Sequence, residues 1–499
     1  MDASSLLWLC FLLLIFIHLL LQRQSNRGLP PGPRSLPLLG NILDLGTKPH
    51  RALTELARKH GPVMTLKLGA VAAVVVSSSE AVREVLQKND HILSSRATPD
   101  VMRVRDHYKH SIVWLSTTSP KSKVLRKACS VQMFSRQKLD RTETLRRSKV
   151  DELLDCLHVS SIRGQEVDIG QAVFRTVLNM ISNTLFSIDL ARHDHEDSGL
   201  ELKELLWEMV KDVGSPNISD FFPVLRWIDP QGARRRMDAY FGKLFAVFDR
   251  IIDERTRFGG LEGSRSSTRG DDMLDTLLDL IDSSELSRED INSLLLDLVV
   301  AGVDTTPTAV EWAMAELLRH PEKMAKARAE IEQALGMDTK VRESDIPRLH
   351  YLQAIVKEIA RLYSPFLLPH KADTEVDLCG FKIPKNTQIM VNMWAMGRDS
   401  SVWQDPDRFE PERFLDIEVD IRGTDFELIP FGAGRRTCPG MLLGYRMLHL
   451  ILGSLIQSFD WELANGETPK TMDMSEKLGV TLNKAKPLYV IATPIKLQH

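Results

Sequence analysis

Phe431-Gly432-Ala433-Gly434-Arg435-Arg436-Thr437-Cys438-Pro439-Gly440 sets one cysteine in a glycine-rich loop, directly ahead of an apolar helical run from Met441 to Leu452. Glycines let the backbone turn tightly round the sulfur and aim amide N–H groups at it. Those amides and the positive end of the following helix favour thiolate over thiol. Arg436, two residues ahead of the sulfur, is placed to pair an anionic group on a ligand. With no second metal ligand nearby, a thiolate held this way suits the axial position of a haem iron. A lone cysteine at a helix start is more often a buried structural residue. It is the joint spacing of Phe431, Gly434, Arg436, Cys438 and Gly440 that argues against that reading here.

Outward from the loop, the composition sets wide bounds. The chain has 499 residues, a net charge of −3, 43% hydrophobic and 26% charged residues, the balance of a folded globular protein. The charge carries no basic excess of the kind a nucleic-acid binder shows. The other cysteines, at 10, 129, 156 and 379, form no close pairs with each other or with Cys438. No disulfide framework, CxxC metal site or CxxCH haem attachment can be read. At ~150 residues per domain the length alone suggests about three domains.

The ends and periodicity narrow that to one domain behind an anchor. From Leu6 to Leu21 every residue is apolar except His18, and residues 3–21 would span about 28 Å as a helix, close to the ~30 Å hydrocarbon thickness. Asp2 in place of a base, and the lack of a small-residue cleavage site, weigh against a removed signal peptide. Arg23, Arg27 and Arg34 follow the run, which puts the N-terminus outside the cytosol and the body within it. Residues 22–33 read as a basic, proline-rich hinge acting as a semi-rigid spacer, and residues 34–499 as a single domain.

Helical spacing marks residues 79–89, 140–158, 170–187, 200–213, 231–256, 271–282, 288–318, 321–335 and 348–362. Strand-like runs are few. Residues 63–68 and 71–76 predict one hairpin, 376–383 with 387–391 a second, and 479–493 a third, while 257–270 reads as a solvated loop. The fold class is mainly α with small β-sheets. Ala301-Gly302-Val303-Asp304-Thr305-Thr306 lies midway along the longest apolar helix. An acid–alcohol pair there is costly without a partner, so it reads either as a helix-bending Thr beside a solvated Asp or as a proton-delivery pair.

The pattern F-x-x-G-x-R-x-C-x-G resembles the haem-binding loop of the cytochrome P450 family, and the similarity extends over residues 28–499. It implies haem b, with Cys438 as proximal ligand and metal site, Arg436 pairing a propionate, Phe431 shielding the sulfur, and Gly434 shaping the loop. Glu358-Ile359-Ala360-Arg361 resembles the family's E-x-x-R and Pro411-Glu412-Arg413-Phe414 its P-E-R-F, which implies a structural network of Glu358, Arg361 and Arg413. The segment around Asp304 resembles (A/G)-G-x-(D/E)-T-T. By that resemblance Asp304 relays protons, Thr305 hydrogen-bonds the oxygen, and Gly302 leaves room for it.

Two departures stand out. Pro307 should free the carbonyl of Val303 and favour a local bulge, which would either admit water to Asp304 or simply kink the helix. Where relatives carry W-R-x-x-R, this chain has Ser122-Lys123-Val124-Leu125-Arg126. Arg126 and Lys123 would hold the propionate, but Lys lacks the bidentate fork of Arg, so weaker haem retention is expected.

Nothing in the chain reads as a nicotinamide or flavin site, so the family implies electrons from NADPH through a separate NADPH–cytochrome P450 reductase. Lys121, Lys123, Arg126 and Lys127 would meet its acidic surface, or form an ordinary solvated face. Asp220-Phe221-Phe222-Pro223, Asp229-Pro230-Gln231-Gly232, residues 82–87 and Ser111-Ile112-Val113-Trp114-Leu115 resemble a narrower group, the plant terpenoid hydroxylases typified by geraniol 8-hydroxylase. By analogy Ile112, Trp114, Val300, Ala301, Phe366, Leu367 and Val480 would line an apolar pocket for a mono- or diterpenoid. The resemblance implies an endoplasmic-reticulum membrane location with a lumenal N-terminus. The alternative is a haem-poor, non-catalytic paralogue that only binds.

Overall fold

The computed structural model describes residues 28–191, 196–261, 272–336, 338–364 and 369–495. The expected anchor at 3–21, the first part of the hinge, and Phe366 and Leu367 lie outside these residues. The longer helices, in chain order, are α1 (Pro49–His60), α2 (Pro120–Lys127), α3 (Glu143–Ile162), α4 (Ile169–Phe186), α5 (Glu196–Val213), α6 (Ala233–Leu261), α7 (Met273–Asp282), α8 (Arg288–Arg319), α9 (Pro321–Leu335), α10 (His350–Tyr363) and α11 (Met441–Ser458). Strands are short: β1 (Val63–Leu68), β2 (Val71–Val76), β3 (Ser95–Arg96), β4 (Val167–Asp168), β5 (His370–Lys371), β6 (Val376–Leu378), β7 (Phe381–Ile383), β8 (Gln388–Val391), β9 (Phe459–Leu463), β10 (Glu476–Leu478), β11 (Leu482–Lys484) and β12 (Tyr489–Pro494).

α8 is the axis of the molecule. Ser287 caps it in a reciprocal box with Asp290, which satisfies first-turn N–H groups. It packs on α4, α11, α10 and α6 and carries the main hydrophobic core. It is the one described helix long and apolar enough to cross a membrane, and it is a buried core helix instead. Asp290, Asp297, Asp304 and Glu311 recur every seventh residue along it, all buried. The first two pin the preceding loop. His107 Nε2 and Ser111 Oγ meet Asp297 at 3.1 and 2.6 Å, and His110 Nδ1 and Lys121 Nζ meet Asp290 at 2.6 and 2.7 Å. The helix stays α-helical through Pro307, without the expected bulge.

The first expected hairpin forms, with Val63 opposite Val76 and Leu68 opposite Val71. The second does not. β6 and β7 close on each other through Cys379 and Gly380, whose φ of 50° and 81° make a two-residue turn. β8 leaves them and pairs parallel with β2, giving a sheet of order β1-β2-β8-β5-β3. The third expected hairpin also divides. β10 pairs β11, while β12 lies between β4 and β9. The loop expected from 257 is helical to Leu261, as the last turn of α6. α1 and α2 escape the periodicity because polar residues occupy their buried faces, His50 and Thr54 in α1 and Ser122 in α2. The described end of the hinge lies along the domain. The Pro31 carbonyl accepts the Thr65 N–H at 2.9 Å, and the Gly28 carbonyl accepts the Lys382 N–H at 3.0 Å.

Candidate active site

The cysteine loop folds as its glycines suggest. The Cys438 N–H donates to the Phe431 carbonyl at 2.9 Å, and the Thr437 N–H to the Gly434 carbonyl at 3.1 Å, closing a 3₁₀ turn over Gly434–Arg436. Gly434 has φ +64°, and a Cβ there would fall 2.3 Å from the Leu86 carbonyl oxygen. Gly434→Ala is expected to cost about 1–2 kcal/mol in backbone strain alone, plus the clash, and to lower the unfolding temperature together with haem content. Burial lifts the Cys438 thiol above its ordinary pKa, opposed by the Gly440 N–H and Arg126. A sulfur so placed becomes a thiolate readily when a metal takes the proton's place.

The residues fit haem, and the fit shows in the surrounding charge. Arg96 on β3, Arg126 on α2 and Arg436 cluster close enough to depress one another. Burial, then Arg436 and Arg126, lower Arg96 to about 9. Burial, then Arg126, lower Arg436 to about 10. His370 on β5, opposite Arg96 in the sheet, is held neutral, its pKa lowered to about 3 by burial and Arg96. Asp90 and Asp373 offset part of this charge at Arg436, and the two propionates of a haem would offset more. Arg96 and His370 were not found in the sequence, because two-residue strands carry no readable period.

The parts differ in detail from expectation. Arg436 donates Nε to the Ser94 carbonyl at 2.8 Å, Nη1 to Ile112 and Val113 at 3.2 and 3.1 Å, and Nη2 to Leu115. It therefore ties the loop 94–115 to the cysteine loop. Arg126 Nη2 donates to the Thr437 carbonyl at 2.7 Å, whereas Lys123 is exposed and does not join the cluster. Ser122 is buried, its hydroxyl without a hydrogen-bond partner among the described residues.

A cavity of about 270 Å³ joins the loop to α8, lined by Cys438, Phe431, Ala301, Gly302, Thr305 and further, mostly apolar residues. Thr305 Oγ1 donates to the Ala301 carbonyl at 2.9 Å, the ordinary resting bond of a helical threonine, and its hydroxyl can turn into the cavity. Asp304 lies on a different side of the helix. Burial raises its carboxyl to about 6, against hydrogen bonds from Thr481. Gly302 lines this cavity, and a Cβ there would fall 2.1 Å from Ile181 Cδ1, so a side chain of α4 also packs close against it. Of the expected pocket residues, Ala301 lines this cavity and Val480 lines a neighbouring one. Ile112 and Trp114 are buried in the core and Val300 packs against it.

Behind the site, Arg361 Nε and Nη2 meet Glu358 at 2.7 and 2.8 Å, and Arg413 Nε meets Glu358 at 3.2 Å. All three expected members come together.

The cytochrome P450 family model matches residues 30–491. A cytochrome P450 76AD1 from Beta vulgaris is 48% identical over 99% of this chain and 100% of its own. A geraniol 8-hydroxylase from Swertia mussotii is 48% identical over 95% of each chain, and a drimenol monooxygenase from Persicaria hydropiper is 45% identical over 95% of this chain and 94% of its own. Cys438 in its glycine loop, the arginine cluster beside it and these matches lead to one conclusion: the chain belongs to the cytochrome P450 family, haem b monooxygenases that draw electrons from a redox-partner reductase.

Proposed function

We propose that the protein hydroxylates a small hydrophobic plant terpenoid at the endoplasmic-reticulum membrane, with electrons from NADPH–cytochrome P450 reductase. The observation that carries this is the cavity between Cys438 and α8, whose walls are mostly apolar and which Thr305 lines beside Ala301 and Gly302. Such walls take up a hydrocarbon skeleton and exclude water, and the relatives named for geraniol and drimenol agree with that class.

Haem held by Cys438 would supply oxygen activation. The chain's own residues do the rest. Cys438 gives the thiolate, Arg96, Arg126 and Arg436 supply positive charge for the propionates, and apolar side chains orient substrate. Asp304, half-protonated near pH 6, moves protons toward the cavity, and Thr305 steadies the oxygen by hydrogen bonding. Turnover of geraniol, nerol, drimenol and abietane-type diterpenes with reductase and NADPH tests the reading. No hydroxylated product from any of them would overturn it. Thr305→Ala is expected to keep its haem spectrum yet divert most NADPH consumption to hydrogen peroxide, and fully coupled turnover would refute the role of Thr305.

The membrane reading is supported by an apolar rim. Leu38 is 72%, Val224 72% and Trp227 81% exposed. The segments are joined: the Gly69 N–H reaches the Leu39 carbonyl at 3.1 Å and the Ala70 N–H the Phe221 carbonyl at 2.9 Å. Of that rim, Leu38 lies on the chain soon after the proposed anchor at 3–21. For the reductase, Lys123 and Lys127 remain exposed, while Lys121 is paired with Asp290 and Arg126 turns inward.

A further inference from the structure

We propose that Glu311 is the proton store that recharges Asp304, acting through water and a rung of hydroxyl groups on the far side of α8. The inference rests on the role given to Asp304 above and adds a positioning residue one step further from the reacting atoms.

Asp304 and Glu311 stand seven residues apart on α8, about 10.5 Å along the axis and on the same side. Both line a second cavity of about 220 Å³, to which Cys438 does not contribute. The exposed Lys211 and Lys477 lie on its wall and bring it to solvent, and Val303 and Pro307 line it along with Asp304. Its walls are mixed, and Asp304, Thr308, Glu311 and Asn483 give water hydrogen-bonding partners there.

Between the acids stands Thr308, one turn from each, which lines both cavities. Its Oγ1 donates to Asn483 Oδ1 at 2.8 Å and lies 3.5 Å from Thr481 Oγ1, and Asn483 Nδ2 donates to Thr481 Oγ1 at 3.3 Å. Thr481 hydrogen-bonds Asp304 in turn. Asp304 Oδ2 is buried without a hydrogen-bond partner among the described residues, an acceptor waiting for water.

Glu311 is 9% exposed, and its Oε1 accepts the Leu488 N–H at 3.0 Å. A Cβ on Gly170 would fall 3.1 Å from its carboxyl carbon, so the first turn of α4 leaves room for the group. Burial raises its pKa to about 7, reinforced by Asp168 and opposed by Lys484. The charged groups facing the cavity are Asp168 ahead of α4, Lys211 on α5, Lys477 on β10 and Lys484 on β11. Anchoring Leu488 needs only an acceptor, which glutamine also supplies. Storing a proton needs the acid.

When Asp304 gives up its proton toward the first cavity, it becomes a carboxylate. The Glu311 acid then releases a proton through water to Thr308, which turns its own O–H from Asn483 to Thr481 as it accepts; Thr481 donates its proton to Asp304, which is reprotonated. The Glu311 carboxylate takes a proton from bulk water through the cavity mouth. No electrons move in the relay.

The test compares the haem-loaded wild type with Glu311→Gln, Thr308→Val and Asp304→Asn. In infrared titration, Glu311→Gln should lose one protonated-carboxyl band that disappears through pH 7, with its carbon-monoxide spectrum unchanged. Its product yield per NADPH should fall several-fold, its solvent isotope effect should rise, and the decline of turnover above pH 7 should vanish. Thr308→Val should uncouple in the same direction while keeping the band. If the band is already absent in the wild type, or if Glu311→Gln stays coupled with an unchanged pH profile while Asp304→Asn uncouples, the inference falls and the role of Asp304 stands. If Asp304→Asn is itself fully coupled, the underlying reading fails. Should Glu311→Gln not fold, Thr308→Val decides: coupled turnover overturns the relay.

Discussion

Cys438→Ala is expected to abolish turnover and the thiolate-type carbon-monoxide band, while leaving the apoprotein folded. The sulfur is one atom on a cavity wall, so its removal deletes little packing. The loop is held without it, by the Cys438 N–H on Phe431 at 2.9 Å and by Arg126 on the Thr437 carbonyl at 2.7 Å. Change at such a site is expected to shift stability by no more than about 1 kcal/mol. Alanine offers no ligand, so the iron would lose the thiolate that favours O–O cleavage. Fresh membranes carrying the variant, reduced and exposed to carbon monoxide, check this. A surviving thiolate band, or turnover above background, would show that another group binds the iron.

Arg361→Ala should act in the opposite way, through the fold rather than the chemistry. Arg361 and Glu358 are both buried. Arg361 donates to both Glu358 oxygens, to the Gly397 carbonyl, to the Pro406 carbonyl at 2.6 Å and to the Arg408 carbonyl at 3.0 Å. Glu358 Oε1 also accepts the Glu410 N–H at 2.7 Å. One guanidinium thus ties α10 to the whole segment from 397 to 410. Truncation leaves a buried carboxylate with Arg413 as its one remaining cationic partner among the described residues, and strands three carbonyls. Breaking a buried pair in this way costs about 3–5 kcal/mol, against a total stability of about 5–15 kcal/mol. Little soluble haem protein should be recovered. Arg361→Lys, which can reach Glu358 but cannot serve three carbonyls as well, should fall between the two. Denaturant unfolding of whatever is recovered checks the order, and a Tm for Arg361→Ala equal to that of the wild type would refute it.

The features legible in the sequence are those carried by neighbours along the chain. Cys438, Gly434 and Phe431 lie within one loop, Glu358 and Arg361 within one helical turn, and Asp304 beside Thr305. Each can be read because local spacing fixes local geometry. Arg96 and His370 could not be read this way, since they meet only when β3 pairs with β5 from the far end of the chain. Glu311 looks like any polar residue of a long helix until β11 and the turn before α4 enclose it. The same limit explains the strands. Residues 388–391 have a hairpin's appearance, but burial is better served beside β2, where Val391 faces Val76 in parallel register.

The cysteine loop by itself therefore carried the resemblance to a haem-thiolate protein, because its glycines and cysteine act within ten residues. Which charges gather beside the cysteine loop, which acids line the second cavity along α8, and which apolar residues face the first were decided only by the tertiary structure. Those properties arise from burial and from electrostatics between segments hundreds of residues apart, and no local spacing records them.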